Sequence, residues 1–391
     1  MAQAVNGTEG MSDHIARILE AAPSPAFVID LGALRGNLAL LDGVRRASGA
    51  KILLALKAFS AWRLFPLMRP FLDGVCASSI WEARLGHEHF GGEVHAFAAA
   101  LNEVDAGALA AVASHLSCNS IGQLERFRPL WENSPLSVGL RVNPEHSEGA
   151  TPIYDPCAPG SRLGIPLAEF PKELPRGVEG LHMHTLCEQL FEPLARTAAV
   201  FEEKFGKHLA KCRWLNLGGG HHITREGYDI EGLVQLVRNF RQKYGVEVYL
   251  EPGEAVVLKT GVLVATVLDV VRNGMDIAIL DVSASCHMPD VLEMPYRPEI
   301  AGGFAPGERG YTYRLAGPSC LAGDVIGDWS FEKPLKAGDR LAFLDMAHYT
   351  TVKTTMFNGI RHPAICAFEP ENNEVTVLRE FTYADFRDRM C

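Results

Sequence analysis

Three groups of residues have the types and spacing of a chemical site. Lys57 closes the apolar run in "ILLALKAF" (52–59) with an ammonium group. A charge at the end of a buried strand is costly unless something uses it. Desolvation lowers a lysine's pKa and makes it a usable nucleophile. Gly218, Gly219 and Gly220 follow a second apolar run in "LNLGGGHHI", where glycines let backbone N–H groups approach a phosphate closely. Glu251, in "LEPGE", ends a third. A nucleophilic amine, a phosphate cradle and a carboxylate that holds a ring nitrogen protonated are together what pyridoxal 5'-phosphate (PLP) requires of a protein.

Eight short apolar runs position these groups. They span 51–57, 74–78, 93–98, 115–120, 138–143, 180–185, 214–220 and 247–253, with amphipathic stretches such as "EPLARTAAVFEEKFGKHL" between them. Strands alternating with helices predict an α/β fold, a (β/α)8 barrel. The runs stay apolar until their last two or three positions, which carry Lys57, Ser78, Asn119, Arg141 with Asn143, His184, the glycines and Glu251. Any one strand can end in something polar. Several ending in varied ionisable groups fit the C-terminal face of a barrel, where active sites are built. The barrel is expected over 23–258, with residues 23–32 ("PAFVID" among them) able to join a second domain instead. From 259 to 391 the chain turns to β-rich runs joined by turns such as "RNGMD" and "KAGD", which predicts an all-β domain carrying Cys320 and Tyr349. Residues 1–22 read as a weakly ordered polar tail.

Bulk properties narrow the partners. The 391 residues are 47% hydrophobic and carry a net charge of −10, which argues against a nucleic-acid binder. No apolar run is long enough for a membrane span, and the N-terminus lacks the pattern of a secretory signal. Nine cysteines without a C-x-x-C pair suit free thiols in a reducing, cytoplasmic setting. No metal is expected.

The motifs "LALKAF", "LRVNPE", "SRLGI", "LHMHT", "LNLGGG", "LEPGE", "GPSC" and "HYTTVKTTMFNG" resemble, in their order over roughly residues 25–385, the fold-type III PLP-dependent decarboxylases. That family includes ornithine and diaminopimelate decarboxylases. The resemblance implies an alanine-racemase-like barrel with a C-terminal β domain, PLP as cofactor, and a homodimer with shared sites. It also implies roles. Lys57 matches the lysine that carries PLP, and His184 the histidine stacked on its ring. Gly218, Gly219 and Gly220 match the phosphate loop, and Tyr349 a tyrosine reaching the phosphate. Glu251 matches the partner of the ring nitrogen, and Arg141 the arginine near the phenolic oxygen. Cys320 matches a proton donor that crosses the dimer interface, and Asp324 a structural acid of its loop.

Departures from the family pattern bear on the substrate. Many relatives read "EPGR" where this chain reads "EPGE", "HIGS" where it reads "HTLC" (Cys187), and an aspartate where it has Leu321. "LHMHTLCEQ", "GGGHHIT", "LEPGEA" and "SCHMPDVLEMPYRP" resemble the carboxynorspermidine/carboxyspermidine decarboxylase branch, which implies a carboxylated polyamine as substrate. An acid in place of an arginine attracts an amine and repels a second carboxylate. A unit-charge contact at ~4 Å is worth about 4 kcal/mol at an effective dielectric of ~20. Glu254 and Asp290 are therefore the expected substrate contacts, with Glu293 a further candidate. Two other enzyme readings remain. Diaminopimelate decarboxylation would need a cation such as Arg297 for the second carboxylate. A metal-dependent hydrolase could use the histidines of "HMH" (182–184) and "HH" (221–222).

Overall fold

Eight parallel strands close into a barrel within the unit spanning 36–256. They are β2 (Lys51–Ala55), β3 (Gly74–Ala77), β4 (Glu93–Phe97), β5 (His115–Cys118), β6 (Ser137–Arg141), β7 (Val178–His182), β8 (Trp214–Asn216) and β9 (Glu247–Leu250), following β1 (Ala26–Asp30) of the other unit. The structure, a computed structural model, describes residues 8–149 and 151–391. All eight expected barrel strands are present, but they stop one to four residues early. Arg141 does end its strand, while the other polar residues assigned to strand ends lie on the loops that follow.

The interior packs Leu53, Trp214 and Tyr249 against Cys76. The Trp214 indole fills space vacated by two glycines on neighbouring strands. A Cβ on Gly180 would lie 2.0 Å from its Cδ2, and one on Gly139 2.3 Å from its Cη2. At the N-terminal ends of the strands, the Lys51 ammonium bonds Glu93 and lies 3.1 Å from Glu247 Oε1. His95 Nε2 lies 3.2 Å from Glu93 Oε2 and stacks on His115 at 4.0 Å. Burial keeps both imidazoles neutral by pushing their pKa values down, that of His115 to about 3. Helices begin where a short polar side chain accepts a backbone N–H: Ser79 from Glu82, Asn102 from Asp105, Ser120 from Gln123 and Asp229 from Gly232. These caps satisfy N–H groups that the first turn leaves unpaired.

The second unit joins the N-terminal residues up to Arg35 to Val257–Cys391. Its strands are β1 with β10 (Gly261–Asn273), β11 (Met275–Leu280), β12 (Tyr311–Ala316), β13 (Val325–Phe331), β14 (Arg340–Leu344), β15 (Ala364–Glu369) and β16 (Glu374–Arg379). The sheet runs β13-β12-β11-β10-β1-β15-β16, with β14 also on β10. The segment containing "PAFVID" thus belongs here: β1 is antiparallel to β10 and parallel to β15. Strand alternation splits the apolar residues between two faces. Phe27, Leu263 and Ala265 pack with Trp329 and Phe343, while Ala26, Val28, Val262 and Val264 pack with Cys366 and Phe368.

Two expectations need correction. Thr8–Ala21, inside the supposed polar tail, is a helix. It buries Ile15, Ile18 and Ala22 on the Val28–Phe368 face of the sheet, at the spacing of an amphipathic helix; residues 1–7 lie outside the described residues. The all-β domain also holds helical turns at Ala284–His287, Asp290–Glu293 and Tyr383–Arg387. The first and last are capped by Ser283 and by a Thr382–Asp385 capping box.

Candidate active site

The barrel's C-terminal rim carries Arg141, His184, Gly218–Gly220 and Glu251 at or just after strand ends, but Lys57 is placed differently from expectation. β2 ends at Ala55, whose carbonyl accepts the N–H groups of Ala58 and Phe59 and so closes a turn. Leu56, Ala58 and Phe59 are buried, and Lys57 between them is exposed. It is therefore not a desolvated strand lysine. Its charge still faces the rim, where it acts on His184, Cys76 and Glu82.

His184 and Arg141 are coupled through backbone. Arg141 is buried and donates from Nη2 to the His184 carbonyl at 2.8 Å, with its guanidinium 4.3 Å from the Phe97 ring centre. Burial lowers its pKa to about 10 against the opposing pull of Glu251. The Gly219 N–H donates to His184 Nδ1 at 3.0 Å, a bond that requires an unprotonated nitrogen there. Burial, then the charges of Lys57 and Arg141, hold His184 well below its ordinary pKa. The ring is neutral and its orientation is set.

The glycine run admits no side chains. A Cβ would lie 2.5 Å from the Met183 carbonyl oxygen at Gly218, 2.0 Å from that of Glu251 at Gly219, and 1.9 Å from that of Leu186 at Gly220. Gly218 and Gly220 also have φ of 70° and 81°, which glycine alone adopts at little cost. The loop is tied to β9 through Asn216. This buried side chain accepts the Gly218 N–H at 2.8 Å and donates to Glu251 Oε1 at 2.6 Å. Burial would push the Glu251 carboxyl up, but His182 above all holds it well below the usual carboxylate range. It is an ionised acid fixed beside a backbone cradle. Asn216, and His182 with its Nε2 3.4 Å from Glu251 Oε2, were not singled out as site residues. The available signal was a polar residue within or closing an otherwise apolar run.

Glu254 heads the short helix Glu254–Val257, and its carboxylate lies 3.4 Å from His222 Nε2, both side chains being largely buried. In the second unit, Cys320 is exposed on its loop and donates its backbone N–H to Asn358 Oδ1 at 2.8 Å. Asp324, buried beneath that loop, accepts from Ser283 Oγ at 2.8 Å and from the N–H groups of Ser319 and Ser285. Tyr349 begins the helical turn Tyr349–Thr351 with φ of 24°. Asp290 bonds the Lys353 ammonium, which also lies 2.6 Å from Glu293. Arg297 sits over the Trp329 ring and donates to the carbonyls of Phe304 and Asp328. The four histidines considered for a metal do not gather among the described residues: His221 bonds Tyr228 and His222 faces Glu254. The grouping there with ligand-like spacing is Glu93, His95 and His115, where the Lys51 ammonium already neutralises the carboxylate.

Comparison with known proteins decides the family. The profile described as "Pyridoxal-dependent decarboxylase, C-terminal sheet domain" matches residues 26–347. The chain belongs to the pyridoxal-dependent decarboxylases. This decarboxylase, a carboxy-lyase, is 42% identical over 378 residues to the carboxynorspermidine/carboxyspermidine decarboxylase of Campylobacter jejuni, covering 94% of this chain and 98% of that one. It is 43% identical over 387 residues to the carboxyaminopropylagmatine decarboxylase of a Synechocystis strain, covering 97% and 100%. The crystal structure of C. jejuni carboxynorspermidine decarboxylase complexed with norspermidine superposes with a TM-score of 0.87 at 42% identity, over 94% of this chain and 99% of that chain. A Helicobacter pylori diaminopimelate decarboxylase shares the fold, with a TM-score of 0.79 at 17% identity. The barrel with its separate sheet domain is the architecture the motifs implied.

Proposed function

We propose that this decarboxylase removes the α-carboxylate of carboxynorspermidine, carboxyspermidine or both, giving norspermidine or spermidine and carbon dioxide with PLP as cofactor. The observation that carries the reading is Glu251, ionised and clamped by Asn216 beside the glycine cradle and the neutral His184 ring. That donor set fits PLP. Gly218–Gly220 supply backbone N–H groups and no side-chain bulk for a phosphate, with Tyr349 a further phosphate ligand. Glu251 supplies the counter-charge of a protonated ring nitrogen. His184 offers a ring face, Arg141 a cation near the phenolic oxygen, and Lys57 the amine that attaches the cofactor. When bound, PLP supplies the sink for the electron pair left by the departing carboxylate.

The chain's own residues do the rest. Lys57 would hold the cofactor through its Nζ amine when no substrate is bound. Cys320, contributed by a second copy of the chain, delivers a proton to the α-carbon. Glu254 and Asp290 select the cationic arm; Glu254 faces the His222 imidazole and Asp290 bonds the Lys353 ammonium. Among the described residues no helix is long and apolar enough to cross a membrane. Nine free cysteines fit a reducing cytoplasm.

A second reading rests on the Synechocystis relative, equally similar and named for a carboxylated agmatine derivative, whose arm ends in a guanidinium rather than an ammonium. Carbon-dioxide release, measured with added PLP on carboxynorspermidine, carboxyspermidine, carboxyaminopropylagmatine, diaminopimelate and ornithine, separates them. Highest kcat/KM on either of the first two supports the proposal. Preference for the agmatine derivative selects the second reading, and preference for diaminopimelate refutes both.

A further inference from the structure

His182 is a buried histidine that the reaction as described does not use. It ends β7 in register between Arg141 on β6 and Asn216 on β8. Its ring is 3% exposed and meets Phe97 edge-on at 5.8 Å. Among the described residues neither ring nitrogen makes a hydrogen bond of good geometry. A buried polar group left so costs free energy, and one apolar side chain of similar volume would fill the space without that cost. Glu251 Oε2 lies 3.4 Å from its Nε2. Glu251 Oε1 is already taken by Asn216.

We propose that His182 is a positioning residue for Glu251: its Nε2–H holds Oε2 as Asn216 holds Oε1, so that the carboxylate stays ionised and aimed at the ring nitrogen of bound PLP. This rests on the reading of Glu251 as the ring-nitrogen partner. The physical argument is one of competition for a proton. A carboxylate and a ring nitrogen in contact share one proton, which resides on the more basic of the two. Each N–H donated to the carboxylate makes it less basic and leaves the proton on the ring, where it strengthens the electron sink. With Asn216 alone, Glu251 is more basic and freer to turn. Two sequence positions further along, His184 contacts the same region from its own loop through Gly219, so the two histidines of "HMH" divide the work: one places the ring, the other its counter-charge.

The test uses the holoenzyme loaded with PLP labelled with nitrogen-15 in the ring, whose chemical shift separates protonated from unprotonated nitrogen. In His182→Phe, which keeps volume and removes the donor, the signal moves toward the unprotonated position. The kcat falls about 10–100-fold, the range for groups that orient a ligand from behind, while KM stays within about twofold. His182→Gln, which restores an N–H, recovers most of both. If Phe at this position does not fold, His182→Ala serves the same comparison. An unmoved signal in the donor-less variant, with Glu251→Gln moving it, overturns the proposal and leaves Glu251 in its role. An unmoved signal in both overturns the assignment of Glu251 itself, and this proposal with it.

Discussion

Replacing Gly219 by alanine tests the close approach of the cradle to the backbone of Glu251. Unlike its two neighbours, Gly219 has no left-handed φ, so alanine meets no backbone penalty there and only space is at issue. The new Cβ would lie 2.0 Å from the Glu251 carbonyl oxygen and 2.9 Å from its carbon. Reaching even a tight contact of ~3.0 Å requires the two backbones to part by about 1 Å, an overpacking cost of about 1–3 kcal/mol. The displaced groups are the ones the site uses: the Gly219 N–H on His184 and the residue carrying the Glu251 carboxylate. A misplacement of about 1 Å costs on the order of 100-fold in rate. The expected result is a fall of about 100-fold in kcat/KM for carbon-dioxide release. A weakened PLP dissociation constant, read by absorbance titration of the dialysed protein, should accompany it. Gly107→Ala is the control: Gly107 lies within the helix Glu103–Val112 with nothing within 4 Å of a Cβ, so it should be neutral or stabilising by about 0.5–1 kcal/mol. A Gly219→Ala protein with PLP affinity and kcat/KM within about threefold of the parent would refute the close-approach argument, since the effect expected is far larger.

Lys57→Ala should remove the visible absorbance band of the bound cofactor, because no other primary amine is proposed to attach it; a variant whose visible spectrum is unchanged overturns the role of Lys57. The His115–Glu93 cluster should make stability fall on acidification. The pKa of His115 is depressed from 6.5 to about 3 by burial. For Glu93, burial is overcome by His95 and the Lys51 ammonium, which hold it at about 2 rather than 4.5. The unfolded chain therefore binds more protons than the folded one, His115 contributing between 6.5 and about 3 and Glu93 between 4.5 and about 2. His115→Asn should make the decline of Tm between about pH 6.5 and pH 4.5 shallower, leaving the share of the other buried histidines such as His95 and His221, whose pKa values burial also lowers; a Tm profile parallel to the parent's would remove His115 from the account.

What was legible in the sequence is what local pattern controls. The eight barrel strands and Gly218–Gly220 are each defined within a few residues, by a switch from apolar to polar or by a residue type that the backbone itself requires. The point at which a strand stops was not legible at Lys57, because the carbonyl of Ala55 decides it by accepting two N–H groups from a turn, and side-chain polarity does not report that. Helix Thr8–Ala21 was hidden for a related reason: its apolar face is only Ile15, Ile18 and Ala22 wide, and it is helical because a sheet built from residues 26–30 and 262–368 is there to cover it. Asn216 and His182 were missed because their partner, Glu251, is 35 residues from one and 69 from the other along the chain. The same distance separates cofactor recognition from substrate choice. A phosphate cradle needs three consecutive glycines and can be read from them. A site for a cationic arm needs acids whose charge is not already spent, and that depends on pairings such as Asp290 with Lys353, 63 positions apart, and Glu254 with His222. Two acids that read alike in sequence can therefore differ in what they offer an incoming amine: Glu254 faces the His222 imidazole, whereas Asp290 and Glu293 share a lysine whose pKa they raise even though burial opposes it. An ammonium group arriving at Glu254 meets an imidazole, but at Asp290 it must displace the Lys353 cation, and on that ground Glu254 is the stronger determinant of the substrate's arm.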